Sequence, residues 1–176
     1  MNEPSRLRPA SWIAGFLLLS LGALYFYYLP LMPEVISDHF GGQGRPNGWH
    51  DQARHAVFYW GIIAVALFVG FLVPRLVRSI PAELVNLPHK EYWLTPTRRD
   101  EAFDALRDHM NWLGVAMLAM MLVIHREVFL ANLRPDHRIN NDVIWMTLAG
   151  FAIFMVSWLI SIFRRFRVPA GENIVT

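Results

Sequence analysis

Four apolar runs, each near the length needed to cross a bilayer, constrain this chain more than any other feature. A hydrocarbon core of about 30 Å takes roughly 20 residues of helix. The runs at 12–31, 56–73, 110–131 and 143–163 meet or approach that length. None shows the strict alternation of barrel strands, so helices are expected. Composition agrees: 55% of residues are hydrophobic and 17% charged, against a charged share of roughly 25% in soluble domains. The expected fold is an all-α membrane protein, one domain over residues 1–176, with an outer loop at 32–55 and an inner connection at 74–109. The amino-terminal MNEPSRLRPAS resembles the n-region of a signal peptide. The apolar run after it is too long for an h-region and lacks a small-x-small cleavage site, so the first span is expected to stay in place.

Orientation follows from where lysine and arginine sit. Arg6 and Arg8 precede the first span, and Arg75, Arg78, Lys90, Arg98, Arg99 and Arg107 lie between spans two and three. Arg164, Arg165 and Arg167 follow the fourth, whereas the other side holds only Arg45, Arg54, Arg134 and Arg138. The chain is thus expected in the inner (plasma) membrane with both termini cytoplasmic. The net charge is only +2 and the arginines are scattered, which argues against a nucleic-acid partner. Cysteine is absent, which removes disulfides, thiolate metal sites and cysteine nucleophiles. Trp12, Tyr25–Tyr28, Tyr59, Trp60, Trp112 and Trp145 fall near span ends, where aromatic rings favour the headgroups. Small pairs four residues apart (Ser11/Gly15, Ala66/Gly70, Ser157/Ser161) allow helices to approach closely.

Three places carry candidate function. In the connection 74–109, Thr95–Pro96, or Thr97 with Asp100, reads as a helix start. Phe103, Leu106 and Met110 then share one face. The segment is an interfacial amphipathic helix leading into the third span, or a docking surface for a cytoplasmic protein with Pro88, Lys90, Tyr92 and Trp93 as candidates. Within the third span, His125, Arg126 and Glu127 interrupt the apolar run. Charge at depth is expensive, so the triplet is placed at the outer interface, where Arg126 can snorkel and pair with Glu127. That puts it on the same side as the first loop.

That first loop, LPLMPEVISDHFGGQGRPNGWH, supports three chemistries. His39, His50 and His55 with Asp38 and Asp51 are the right types for metal ligands, but the spacing matches no standard pattern. Ser37-Asp38-His39 holds the residue types of a nucleophilic site, but neighbours in sequence rarely converge on one atom. The third reading is a folded outer cap. Gly41, Gly42, Gly44 and Gly48 permit positive torsions, Arg45-Pro46-Asn47-Gly48 is a turn signal, and Phe40 and Trp49 supply apolar bulk.

The run from Leu31 to Phe40 followed by Gly44-Arg45-Pro46-Asn47-Gly48-Trp49, together with NLPHKEYWLTPTRR after the second span, resembles the bacterial membrane family called domain of unknown function 1648 (DUF1648). Ser37 stands where that pattern commonly has proline, and Gly41 where it has asparagine. The same domain occurs in SdpI-type immunity proteins, which protect cells from a secreted toxin and can sequester a repressor at the membrane. Those proteins carry a further membrane module that is not expected after Arg167. The resemblance implies that Pro33, His39, Phe40, Gly44, Pro46, Asn47 and Trp49 form the loop's framework or ligand-binding surface, with His39 as its polar contact. The expected function is non-catalytic: an immunity, sensing or accessory role in the envelope through the outer loop, with no cofactor and no bound metal. Its expected partners are the bilayer, a membrane or cytoplasmic protein, or further copies of itself. The competing readings are a small ion-coupled transporter or channel subunit using His125 and Glu127 in an oligomer, and a membrane metalloenzyme.

Overall fold

A computed structural model describes residues 9–169; Arg6 and Arg8, counted in the orientation argument, lie outside them. Four helices are long and apolar enough to cross a membrane. The first, α1, is helical over Pro9–Tyr28 and ends in a tight turn at Leu29–Leu31, where Pro30 and Pro33 cannot continue the ladder. The second, α2, spans Gln52–Ser79. The third, α3, runs unbroken from Arg99 to Leu133, and the fourth, α4, from Asn141 to Arg165. The third helix thus starts well before the apolar run at 110. Neither threonine start forms: Thr95 O instead accepts from the amides of Arg98 and Arg99 at 3.1 and 2.9 Å, and Arg98 is the cap residue.

The all-α expectation fails in the first loop. Val35–Phe40 and Pro46–Asp51 pair as an antiparallel two-stranded hairpin, β1 and β2. A two-stranded hairpin is marginal alone in water, and this one rests on the helix ends.

Helix α3 is the hub, with the other three packed around it. On α1, Ala10, Ala14, Leu17, Leu21 and Tyr25 repeat every three or four residues and form its buried stripe. They meet Tyr59, Ile63 and Ala66 of α2 and Val115, Leu118 and Phe129 of α3. Tyr59 and Tyr25 are therefore buried inside the bundle. The Tyr59 hydroxyl donates to Leu21 O at 2.7 Å, which satisfies it inside the bundle. No residue of α4 is fully buried; it is fixed to α3 by Trp158 Nε1 donating to His109 O at 2.8 Å and by His109 Nε2 with Ser161 Oγ at 3.1 Å.

Where α2 crosses α3 the backbones nearly touch. A Cβ on Gly70 would lie 2.4 Å from Gly114 Cα, so glycine is required there. The helix adopts a π-turn over Phe68–Leu72 at the same place. Such a turn disturbs the regular ladder, and the buried Asn111 amide, with its nitrogen toward α2, donates to Gly70 O at 3.0 Å and Arg107 O at 3.3 Å. The small pair Ala66/Gly70 thus lies at a real crossing; its partner Gly114 came from outside the pairs noted in the sequence.

A second, smaller core forms at the opposite end from Val85, Leu87, Tyr92, Trp93, Ala102, Phe103 and Phe166. Trp93 Nε1 donates to Phe166 O at 2.9 Å, and the Arg165 guanidinium lies over the Trp93 ring while pairing with Glu101 at 2.7 Å. Tyr92 and Trp93 are therefore core residues, not exposed anchors for a partner. Pro88 is half-buried beside them, and Lys90 reaches Glu83 O at 3.4 Å.

Candidate ligand-binding site beneath the hairpin

The hairpin closes through a short glycine turn. Gly44 has φ +75°, a conformation that side chains rarely adopt, and its amide donates to Gly41 O at 2.8 Å. The tip then docks on the α3–α4 connection, with Ile139 N donating to Gly44 O at 3.0 Å and Asn141 Nδ2 to Gly42 O at 2.9 Å. On the other side of the hairpin, Asn132 of α3 acts as a substitute strand partner for β1. Its Oδ1 accepts from Ser37 N and its Nδ2 donates to Ser37 O, both at 2.7 Å. Ser37 and Asn132 are buried, so these are desolvated bonds between obligatory polar groups. Sequence reasoning passed over Asn132. Its signal was available, as a lone amide in the run VFLANL of an apolar span.

The register of the hairpin decides what faces inward. Ser37 pairs with Trp49 and His39 with Gly48, which leaves Asp38 as an extra residue in β1; the next pair, Phe40 with Pro46, skips Asn47. Bulges of this kind re-aim side chains. The Asp38 carboxylate comes to 3.5 Å from His50 Nε2 and 3.8 Å from His55 Nδ1. Both distances exceed normal hydrogen-bond reach. The strand β2 leads straight into α2 because Asp51 caps it, accepting from Arg54 N at 2.7 Å. His55 therefore sits within the first helical turn, directly under the hairpin.

Below this roof lies a cavity of about 500 Å³, lined by Asp38, His39, Gly48 and His50 above, and by faces of α2 and α3 including His55, Tyr59, Ile62, Met121 and His125. That volume is within the roughly 300–1,000 Å³ of small-molecule sites. Its upper part is polar and its lower part apolar. Four buried polar atoms facing this region have no hydrogen-bond partner among the described residues: Asp38 Oδ2, both ring nitrogens of His55, and His125 Nε2. Leaving such atoms unpaired costs about 1–3 kcal/mol each, and native proteins seldom do so without a reason. A shallower cavity at the opposite end, of about 300 Å³ beside Glu83, Lys90 and Thr95, holds none of these atoms.

Each residue singled out in the sequence now has a place. Pro33 is exposed and its carbonyl accepts from Gln52 Nε2 at 3.2 Å. His39 lines the cavity and meets Asn47 Oδ1 at 2.5 Å. Phe40 and Pro46 pair across the strands, Gly44 makes the turn, and Trp49 lies edge-on to His137 at 5.7 Å. His125 joins the cavity, with its ring 4.2 Å from that of Tyr59. Glu127 does not line it: two residues on, it points elsewhere and is held by Arg126 at 3.0 Å and Arg134 at 3.4 Å. The pairing of Arg126 with Glu127 is present, but His125 and Glu127 do not form one site.

The catalytic and metal readings meet specific geometry. Ser37 Oγ donates to backbone carbonyls, 2.9 Å to Gly48 O and 3.2 Å to His39 O, while Asp38 faces away toward His50 and His55. The adjacent Ser-Asp-His residues thus do not converge. Among the described residues, no group of three or more histidine or carboxylate side chains is arranged to hold a metal ion. Asp51 is engaged as a helix cap and His39 with Asn47. The site offers polar atoms within a largely apolar cleft. Comparison with known protein families, with curated proteins and with solved structures finds no match to this chain.

Proposed function

We propose that this is a non-catalytic ligand-binding protein of the inner membrane, which senses or responds to a molecule of the cell envelope through the cavity beneath its hairpin. The observation that carries the reading is the set of buried polar atoms without hydrogen-bond partners, on Asp38, His55 and His125, all residues lining one largely apolar cavity. The charge distribution supports a hairpin facing outward and both termini in the cytoplasm. An immunity or accessory role is what the DUF1648-like loop motif adds to this reading.

Native mass spectrometry of protein extracted directly from membranes into lipid nanodiscs tests the proposal. Wild type is expected to carry a bound small molecule, and His55→Leu and His125→Phe to lose it while still inserting. Bare wild-type protein, or the same adduct on all three, would overturn it. Orientation is tested separately. The chain has no cysteine, so Arg45→Cys in intact cells should react with an impermeant maleimide and Glu91→Cys only after permeabilisation.

A further inference from the structure

The chemistry of the ligand can be taken further, on the premise that the cavity is a ligand site. The only formally charged side chain lining it is Asp38; none of the lining residues is lysine or arginine. Its Oδ2 is buried without a hydrogen-bond partner, and His55 Nδ1 lies 3.8 Å away. A carboxylate accepts hydrogen bonds, and each neutral imidazole presents one donor and one acceptor nitrogen. His55 is 2% exposed and His125 is 8% exposed, so their unpartnered nitrogens also face the interior rather than water. The Asp38 carboxylate makes the polar end of the site complementary to a cationic donor, and a second anion there would meet like charge.

The apolar end has a direction. Helix α2 descends from the hairpin and α3 ascends to it, so successive turns of about 5.4 Å can be ordered by depth. Asp38 and His50 form the roof, His55 the first turn, Phe58 and Tyr59 the next, and Ile62 and Met121 lie deepest. The rim residues Phe58 and Ile62 are 46% and 42% exposed, on helices that the bilayer surrounds. These exposed apolar residues give the cleft a side facing outward from α2, where a spanning helix meets hydrocarbon. A molecule matching both ends has an apolar chain and a hydrogen-bond-donating, positively charged head, and approaches through the membrane.

We propose that the cavity binds a cationic amphiphile, a primary ammonium on an alkyl chain, with the ammonium beneath Asp38 and the chain running past Ile62 toward Met121. The ammonium head could be that of a free amphiphilic amine or of an aminophospholipid.

The test uses the full chain in phosphatidylcholine nanodiscs, titrated with dodecylamine, dodecanol and dodecanoate, with empty nanodiscs as the blank. Dodecylamine is expected to bind at least tenfold more tightly than dodecanoate, with dodecanol between them. Asp38→Asn should bring the amine-to-acid ratio close to one. Ile62→Trp, which narrows the side opening and leaves the acceptors in place, should weaken all three probes. Amine displacement by phosphatidylethanolamine added to the discs would identify a lipid as the source of the head. Amine binding indifferent to that lipid would identify a free amine, and both results support the ammonium site. Dodecanoate binding as well as dodecylamine, or an unchanged ratio in Asp38→Asn, overturns the head-group assignment. If the native adduct is present on wild type and lost in the histidine variants while no probe discriminates, this inference fails and the ligand-site reading stands. If neither adduct nor probe binds, both fail.

Discussion

Replacing Asn132 with leucine should detach the hairpin from the helices without unfolding them. In the native protein the Asn132 amide gives Ser37 N–H an acceptor and Ser37 C=O a donor, each at 2.7 Å, with Ser37 fully buried. Leucine has nearly the same size and no polar atoms, so the change leaves both backbone groups without these partners in a desolvated place. Each such loss costs about 1–3 kcal/mol. Some relaxation is expected, since the Ser37 hydroxyl bond to Gly48 O still ties the two strands together. A net cost of about 3 kcal/mol for hairpin docking is therefore reasonable at these magnitudes. At 1.4 kcal/mol per factor of ten, docking weakens roughly a hundredfold. Hydrogen exchange followed by mass spectrometry in nanodiscs reads this directly: amides across residues 35–51 should exchange about two orders of magnitude faster on this arithmetic. Amides in the middle of α4 should not change. Unaltered hairpin exchange in Asn132→Leu would refute the clamp, and equal acceleration everywhere would mean that Asn132 supports the whole bundle instead.

Gly70→Ala should lower the melting temperature in detergent. Its methyl group would sit 2.4 Å from Gly114 Cα, and overpacking of about 2 kcal/mol corresponds to a fall of roughly 4–8 °C in a chain of this size. Gly44→Ala should release the hairpin tip. It combines φ +75° with a methyl only 2.8 Å from Ile139 O, and accelerated exchange of the Ile139 amide, with α1 unaffected, is the expected sign. Trp93→Ala should open the core at the opposite end at a cost of about 3–5 kcal/mol, seen as rapid proteolysis within residues 80–98. The hairpin should keep its protection, because the two buried clusters have no member in common.

The loop motif noted in the sequence and the physical reading bear on the same loop but pick out different residues. The motif emphasises Pro33, His39, Phe40, Gly44, Pro46, Asn47 and Trp49. In the structure most of these shape and seat the hairpin through a turn, a cross-strand pair and an edge-on ring contact with His137. Of that set only His39 lines the cavity, and its ring is already engaged with Asn47. The unpartnered polar atoms belong instead to Asp38, His55 and His125. Framework and binding surface are thus largely separate sets, and substitutions in them should differ in effect: framework changes alter hairpin exchange, whereas cavity changes alter ligand occupancy with the hairpin intact.

Sequence alone was enough for the four helices, because spanning a bilayer is decided locally: an apolar run of sufficient length has few alternatives in a medium without water. The turn was legible only in part: it forms at Gly41–Gly44, where Gly44 takes the positive φ, and not at the Arg45-Pro46-Asn47-Gly48 signal, whose last three residues lie in β2. The strands were not. VISDHF and PNGWHD do not share one clean alternation, and the seating of their hairpin depends on an anchor 95 positions away, the amide of Asn132. The interior placement of Trp93 likewise depends on Phe166, 73 positions on. The site is the clearest case of what tertiary structure decided. Asp38, His55 and His125 belong to three separate elements, and two of them looked like a loop carboxylate and a headgroup-level imidazole. Only the β-bulge at Asp38 and the antiparallel approach of α2 to α3 bring their polar atoms to one cavity. Helix formation depends on neighbours along the chain, whereas a binding site depends on which distant neighbours the packing leaves unsatisfied.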